Sequence, residues 1–188
     1  MKILLALILG MLAFAQIGLA QSNFNDSIEF VLKGYKASEV LAMYYPDKKW
    51  PIEGGWGHSM DDAVIINMDN SREGVKFEYE YMEAISSIIY AVLKPETEAM
   101  EVMSVRLKKQ LLILGQDAHE GHSYDKMEVE ISGLIPSDLE MLRKDFADHN
   151  EYEGDEEGKK KFDELYLSKL KKVPAEFWFD ITRIFGKY

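Results

Sequence analysis

The spacing of apolar residues divides this chain into segments of different period. From Ile3 to Leu19 the pattern is unbroken and uncharged, following the single cation Lys2 and closing on Gly18-Leu19-Ala20, after which Gln21-Ser22-Asn23 is polar. That order of charge, apolar stretch and small residues predicts a secretory signal peptide over 1–20. The stretch falls slightly short of the about 20 apolar residues of a spanning helix, and no cysteine follows to carry a lipid. Residues 21–188 are therefore expected to form one globular domain, secreted or periplasmic, with no membrane contact once the leader is cleaved.

Beyond the leader the periods alternate between those of strand and helix. Between Gln21 and Tyr45, Ile28, Phe30 and Leu32 alternate as in a strand, yet Val31 and Tyr35 complete a helical stripe that Asp26 or Ser27 could cap, and the element stays open. Pro46 to Ser59 holds Pro46, Pro51 and Gly54-Gly55-Trp56-Gly57, a loop composition in which the glycines permit positive φ and Asp61 or Asp62 ends the loop by capping a turn. Ala63 to Met68 is a β-branched run, Asp69 to Gly74 a turn, and Val75, Phe77, Tyr79 and Tyr81 alternate with polar neighbours, predicting a hairpin with one wet face. From Glu83 the period becomes helical through Ile85, Ile88, Ile89, Val92 and Leu93, until Pro95.

A second antiparallel pair is expected from Val105, Leu107 and the run Leu111 to Leu114 against Met127, Val129 and Ile131, around the polar loop Gly115 to Asp125. Ser137 with Glu140 forms a capping-box pattern opening a helix through Leu139, Leu142 and Phe146. Asn150 to Lys161 reads as a solvated linker and Phe162 to Leu170 as a helix. The tail reads as another helix, with Pro174 in its first turn, Phe177, Trp178, Ile181, Ile184 and Phe185 inward, and Gly186 past its end. Together these predict an α+β fold: an antiparallel sheet built from hairpins, helices on one face, and a polar outer face carrying Glu78, Glu80, Glu128 and Glu130.

Composition narrows the function. The 188 residues include no cysteine, so an exported domain would hold together through its core without disulfides. Net charge is −11, and becomes −12 when Lys2 leaves with the leader. Such a field repels nucleic acid and anionic lipid, and leaves cationic ligands, metal ions or a basic protein surface as partners.

Candidate chemistry is sparse. Asp117, His119, Glu120 and His122, with His58 from the glycine loop, supply nitrogen and oxygen donors for zinc or copper. The His119-Glu120-Gly121-His122 spacing is not that of a zinc protease, which places two His four apart on a helix, so the competing reading is a polar hairpin tip. Asp69, Ser71, Glu73, Gly74 and Glu80 match a twelve-residue calcium loop, but their flanks read as strands, which favours a turn. His58 and Ser59 are adjacent and cannot easily aim at each other as a catalytic pair. Tyr44, Tyr45, Trp50 and Trp56 lie in or beside the Pro/Gly loop, where flat rings could meet a partner or a sugar, or else pack over the core edge. With no catalytic set in view, the leading expectation is a non-catalytic exported module without a cofactor. It would bind a basic protein partner through its acidic surface and the loop Tyr44, Tyr45, Trp50, Trp56 and His58. The alternative is a metal-binding protein or metal-dependent hydrolase using His58, Asp117, His119 and His122, and the third reading is a carbohydrate-binding module.

Overall fold

A computed structural model describes residues 34–69, 71–94, 99–114, 119 and 121–186. The leader, the undecided stretch before residue 34, and Asp117 and Glu120 lie outside the described residues. Ala37–Tyr44 forms helix α1, which buries Ala37, Val40 and Leu41 at one-face spacing, while Glu39 reaches back to the Lys36 N–H at 3.0 Å. The Pro/Gly segment contributes a strand after all: Ile52–Gly54 (β1) pairs antiparallel with Val64–Ile66 (β2), and the glycine loop joins them.

The expected partner of β2 is not a strand. Ser71–Ile88 is helix α2, continued by a π-helical turn over Ile89–Leu93. Its buried positions include Phe77, Glu78, Tyr81, Met82, Ile85, Ile88 and Ile89, a stripe of helical period. Glu78 stands where that stripe calls for an apolar side chain. With Glu78 counted as polar the stripe breaks and only the alternation of Val75, Phe77, Tyr79 and Tyr81 remains, which is the pattern of a strand. The calcium-loop reading goes with the hairpin, since the backbone is helical from Ser71 onward and Glu80 is taken up by Lys48 at 2.5 Å and Lys76 at 3.4 Å. Gly74 lets the chain end sit against α2, because a Cβ there would collide with Ile184 Cδ1.

Glu101–Ile113 (β3) and Tyr124–Leu134 (β4) form the long antiparallel pair that the sequence predicts, around the His119–His122 loop. Pro136–Asp148 is helix α3, opened by Pro136 in its first turn, with Ile135 and not Ser137 at the cap position. Glu156–Lys169 is helix α4, so the predicted linker is partly helical; the Asp155 carboxylate accepts the Gly158 N–H at its start. Helices α3 and α4 close a small second core of Leu134, Leu139 and Leu142 with Phe162, Tyr166 and Leu170.

The tail is the other correction. Lys171–Asp180 is a strand, β5, followed by a turn, and Ala175, Phe177 and Phe179 alternate inward against Glu176, Trp178 and Asp180. Pro174 is tolerated because β5 bonds β4 along its length but meets β2 only at Phe179 and Asp180, leaving the proline's other edge without a ladder to break. Strand order is β1-β2-β5-β4-β3, with only β2 and β5 parallel, so the fold is α+β on a mostly antiparallel mixed sheet. One face carries Met127, Val129, Ile131, Phe177 and Phe179 into the main core with α2. The opposite face carries Lys126, Glu128, Glu130 and Glu176, with Lys109 paired to Glu128, Lys108 to Glu130 and Lys126 to Glu176. No helix among the described residues is long and apolar enough to cross a membrane.

Candidate functional site

Strand alternation and hairpin position decide what gathers at one end of the sheet. Asp180 ends β5, with Ile65 of β2 opposite on one side and Tyr124 of β4 on the other. The β1–β2 glycine loop lies over this end, as do His119 and His122 from between β3 and β4. They enclose an open cleft of about 590 Å³ whose polar wall is Asp61, Asp62, Asp180, His119, His122 and Tyr124. Among the described residues no Lys or Arg lines it.

The glycine loop is held by its own aspartate. Asp62 accepts the Trp56 N–H at 3.1 Å, and His58 Nδ1 stands 3.0 Å from the same carboxylate oxygen. Gly55 has no room for a side chain, since a Cβ would strike the Asp62 carboxylate, and Gly57 at φ +86° passes close to the Trp178 backbone, accepting its N–H at 2.8 Å. Burial works against ionisation of Asp62, but the His58 hydrogen bond and charge, with the N–H groups of Trp56 and His58, outweigh it and hold the carboxyl below the usual range.

Asp180 is built in the same way. It is nearly fully buried, and burial opposes its charge; the Thr182 hydroxyl and N–H, at 2.5 and 2.9 Å, and His122 Nδ1 at 2.6 Å nevertheless lower its pKa. Across the cleft His119 Nε2 lies 2.8 Å from Asp61, whose side chain is 85 % exposed. The Tyr124 ring is flanked by both imidazoles, stacked with His122 and edge-on to His119, each at 5.9 Å between centroids. Burial first, and then the charges of Asp180 and Asp61, push the Tyr124 phenol above its ordinary pKa.

His119 and His122 thus meet in one site, joined by Asp61, Asp62, Asp180 and Tyr124. His58 stands behind it and reaches it only through Asp62. Among the described residues no group of three or more His, Cys, Asp or Glu is arranged to hold a metal ion. Among the described residues no serine or threonine hydroxyl bonds either cleft histidine, and His122 and Asp180 form a carboxylate–imidazole pair.

The aromatic residues of the Pro/Gly segment are mostly engaged elsewhere. Trp56 is a core residue, its Nε1–H donating to the Tyr35 carbonyl at 3.1 Å and its own carbonyl accepting the Tyr81 hydroxyl at 3.0 Å. Trp50 is half-buried between Tyr45 and Phe77, with Lys48 Nζ 4.2 Å from its ring centroid. Tyr44 is exposed. Sequence reasoning did not single out Tyr124 or Asp180 as site residues, because each joins the site across the sheet; the sole hint was their polar placement at the ends of apolar runs. Comparisons with protein-family models, curated proteins and solved structures return no match.

Proposed function

We propose that this chain is an exported, non-catalytic binding module that takes a cationic group of a basic partner protein into the acidic cleft at the end of the sheet. One observation carries the reading. Asp61, Asp62 and Asp180 converge on an open cleft in whose wall, among the described residues, they are met by histidines and by no Lys or Arg, whereas the carboxylates of the polar sheet face are each answered by a lysine. A concave wall of one sign concentrates field lines and attracts the opposite charge. The two depressed aspartates keep that charge at neutral pH, and Asp61, whose side chain is 85 % exposed, presents it at the rim of the cleft.

The test is calorimetric titration with a short Lys/Arg peptide and with its Glu/Asp counterpart. Binding of the basic peptide is expected, weakening as salt rises and the screening length falls from about 30 Å at 0.01 M to about 8 Å at 0.15 M. Asp61→Asn combined with His119→Gln, which removes an exposed pair, should weaken it several-fold. Equal binding of the acidic peptide, or no effect of the variant, would refute the reading.

A second reading, a metal-dependent hydrolase using His119 and His122, has one observation in its favour. Asp180 meets His122 at Nδ1, 2.6 Å away, and so turns Nε2 away from that carboxylate, the arrangement in which carboxylates orient histidine ligands. Elemental analysis of tag-free protein separates the two: about one equivalent of zinc or copper supports the hydrolase, and less than about a tenth excludes it.

A further inference from the structure

On the other side of the same sheet end lies a second cleft, of about 650 Å³, that the site above does not use. Because side chains alternate along β4, Tyr124 faces the histidine cleft while its neighbour Asp125 faces this one. The walls are apolar: Val75 from α2, Leu112 from β3, and Ile181, Ile184 and Phe185 from the turn after β5. Leu112 and Phe185 are 48 % and 45 % exposed, so the cleft is open along its rim.

Against these walls stand two carboxyls. Glu78 lines the cleft with no exposed surface, and among the described residues neither of its oxygens has a hydrogen-bond partner. Asp125, 6 % exposed, accepts one hydrogen bond, from the Gln110 amide at 2.7 Å. Among the described residues the remaining charged group in the wall is Arg72, at the exposed start of α2; Gln110 is the polar residue from β3, and the turn after β5 contributes none. Among the described residues neither carboxyl forms an ion pair. A buried carboxyl without a partner costs the fold several kcal/mol at neutral pH or keeps its proton, and an apolar site at that position in α2 would be filled more stably by leucine.

We infer that this cleft binds an amphiphilic amine, its apolar body against Val75, Leu112, Ile184 and Phe185 and its ammonium between Asp125 and Glu78. The ligand class follows from the lining. A bare metal ion would find two carboxyls among hydrocarbon and, among the described residues, no third acidic or imidazole ligand, whereas an ammonium on an apolar stem satisfies both parts of the wall at once. Burial, and then repulsion from Asp125, raise the Glu78 carboxyl to about 9, and burial also raises Asp125 although Gln110 opposes it. The cation would reverse both effects, so ligand uptake expels a proton from the pair to solvent.

The probe is phenethylamine, with 2-phenylethanol as its neutral counterpart, titrated into the full chain by calorimetry in two buffers of different ionisation enthalpy. A ligand of this size is expected at about millimolar affinity. The amine should bind saturably and release about one proton, and its affinity should climb from pH 6 to pH 8 by up to about tenfold per unit, while the amine itself stays charged as a lysine does. Glu78→Gln and Asp125→Asn should each weaken it about tenfold or more, and Asp61→Asn, on the opposite face, should not change it. Glu78→Gln is expected to fold at least as stably as the parent, so loss of binding there is not loss of structure. Equal affinity for the alcohol, binding without proton release, unchanged affinity in both carboxyl variants, or no saturation by about 20 mM amine would each overturn the inference.

Discussion

Replacing Glu78 by glutamine should make this protein more stable, and increasingly so as pH rises. The Glu78 carboxyl is fully buried, its oxygens have no partner, and burial followed by the neighbouring Asp125 charge moves its pKa up to about 9. In the unfolded chain the same group ionises near 4.3. Between those values the native state binds a proton that the unfolded state has lost, so stability is full below about pH 4 and falls as pH rises toward 9. Each unit costs about 1.4 kcal/mol, and from pH 5 to pH 8 the loss is about 3 to 4 kcal/mol after allowance for some relaxation around the charge. For a domain whose total stability is about 5–15 kcal/mol this is a large share. Glutamine keeps the shape without a titrating proton. Urea unfolding of both proteins, followed by far-ultraviolet circular dichroism at pH 5, 6.5 and 8, reads the difference directly, since nearly every other group titrates alike in the two. The gap should widen by about 3 kcal/mol in favour of the variant. A gap constant to within about 0.5 kcal/mol would show that Glu78 ionises normally and that its buried position is wrongly understood.

Other consequences are independent of that group. Asp180→Ala strands the Thr182 N–H and hydroxyl and frees His122, at a cost of about 2–3 kcal/mol in chemical denaturation at pH 7. The parent's advantage over this variant should disappear as pH falls below about 4, because a carboxyl with depressed pKa stabilises above its unfolded value and is lost on protonation. Gly57→Ala forces a side chain onto a backbone at φ +86° with the Trp178 carbonyl 3.2 Å from the new Cβ, and should lower stability by about 1–2 kcal/mol in the same assay. Tyr81→Phe removes the hydrogen bond to the Trp56 carbonyl beneath the glycine loop and should cost about 1 kcal/mol or slightly more.

What could be read in the chain and what could not have separate physical causes. The β3–β4 pair was legible because β4 keeps period two, with Met127, Val129 and Ile131 against Glu128 and Glu130, and because β3 ends in the apolar run Leu111 to Leu114 on the other side of a polar loop. Helix α3 was legible through Leu139 and Leu142, although Pro136 and not Ser137 opens it. Helix α2 was hidden by Glu78, a single polar residue inside an apolar stripe; the residue that misled the reading of the fold is the one whose burial asks for a ligand. Strand β5 was hidden by Pro174, which normally argues against a strand, and by Ile181, Ile184 and Phe185, whose helical spacing belongs to the following turn. Of the histidine cleft, His119 and His122 stood out by composition. Their partners Asp61 and Asp180 did not, since each pair spans 58 residues and is made only when two hairpin loops fold over the end of β5. Asp125 could not be distinguished from the wet residues of its strand without knowing that α2 and the chain end cover it.

The cleft reading rests on a localised negative wall, and the imidazoles that frame it are natural reporters. In a nuclear magnetic resonance titration of the full chain with a short Lys/Arg peptide at low salt, the ring protons of His119 and His122 should shift in a saturable way. Those of His149, which stacks on Tyr152 and bonds the Asp145 carbonyl, should stay fixed. Uniform shifts of all the histidines, or shifts confined to His149, would place the contact elsewhere and contradict the proposed function.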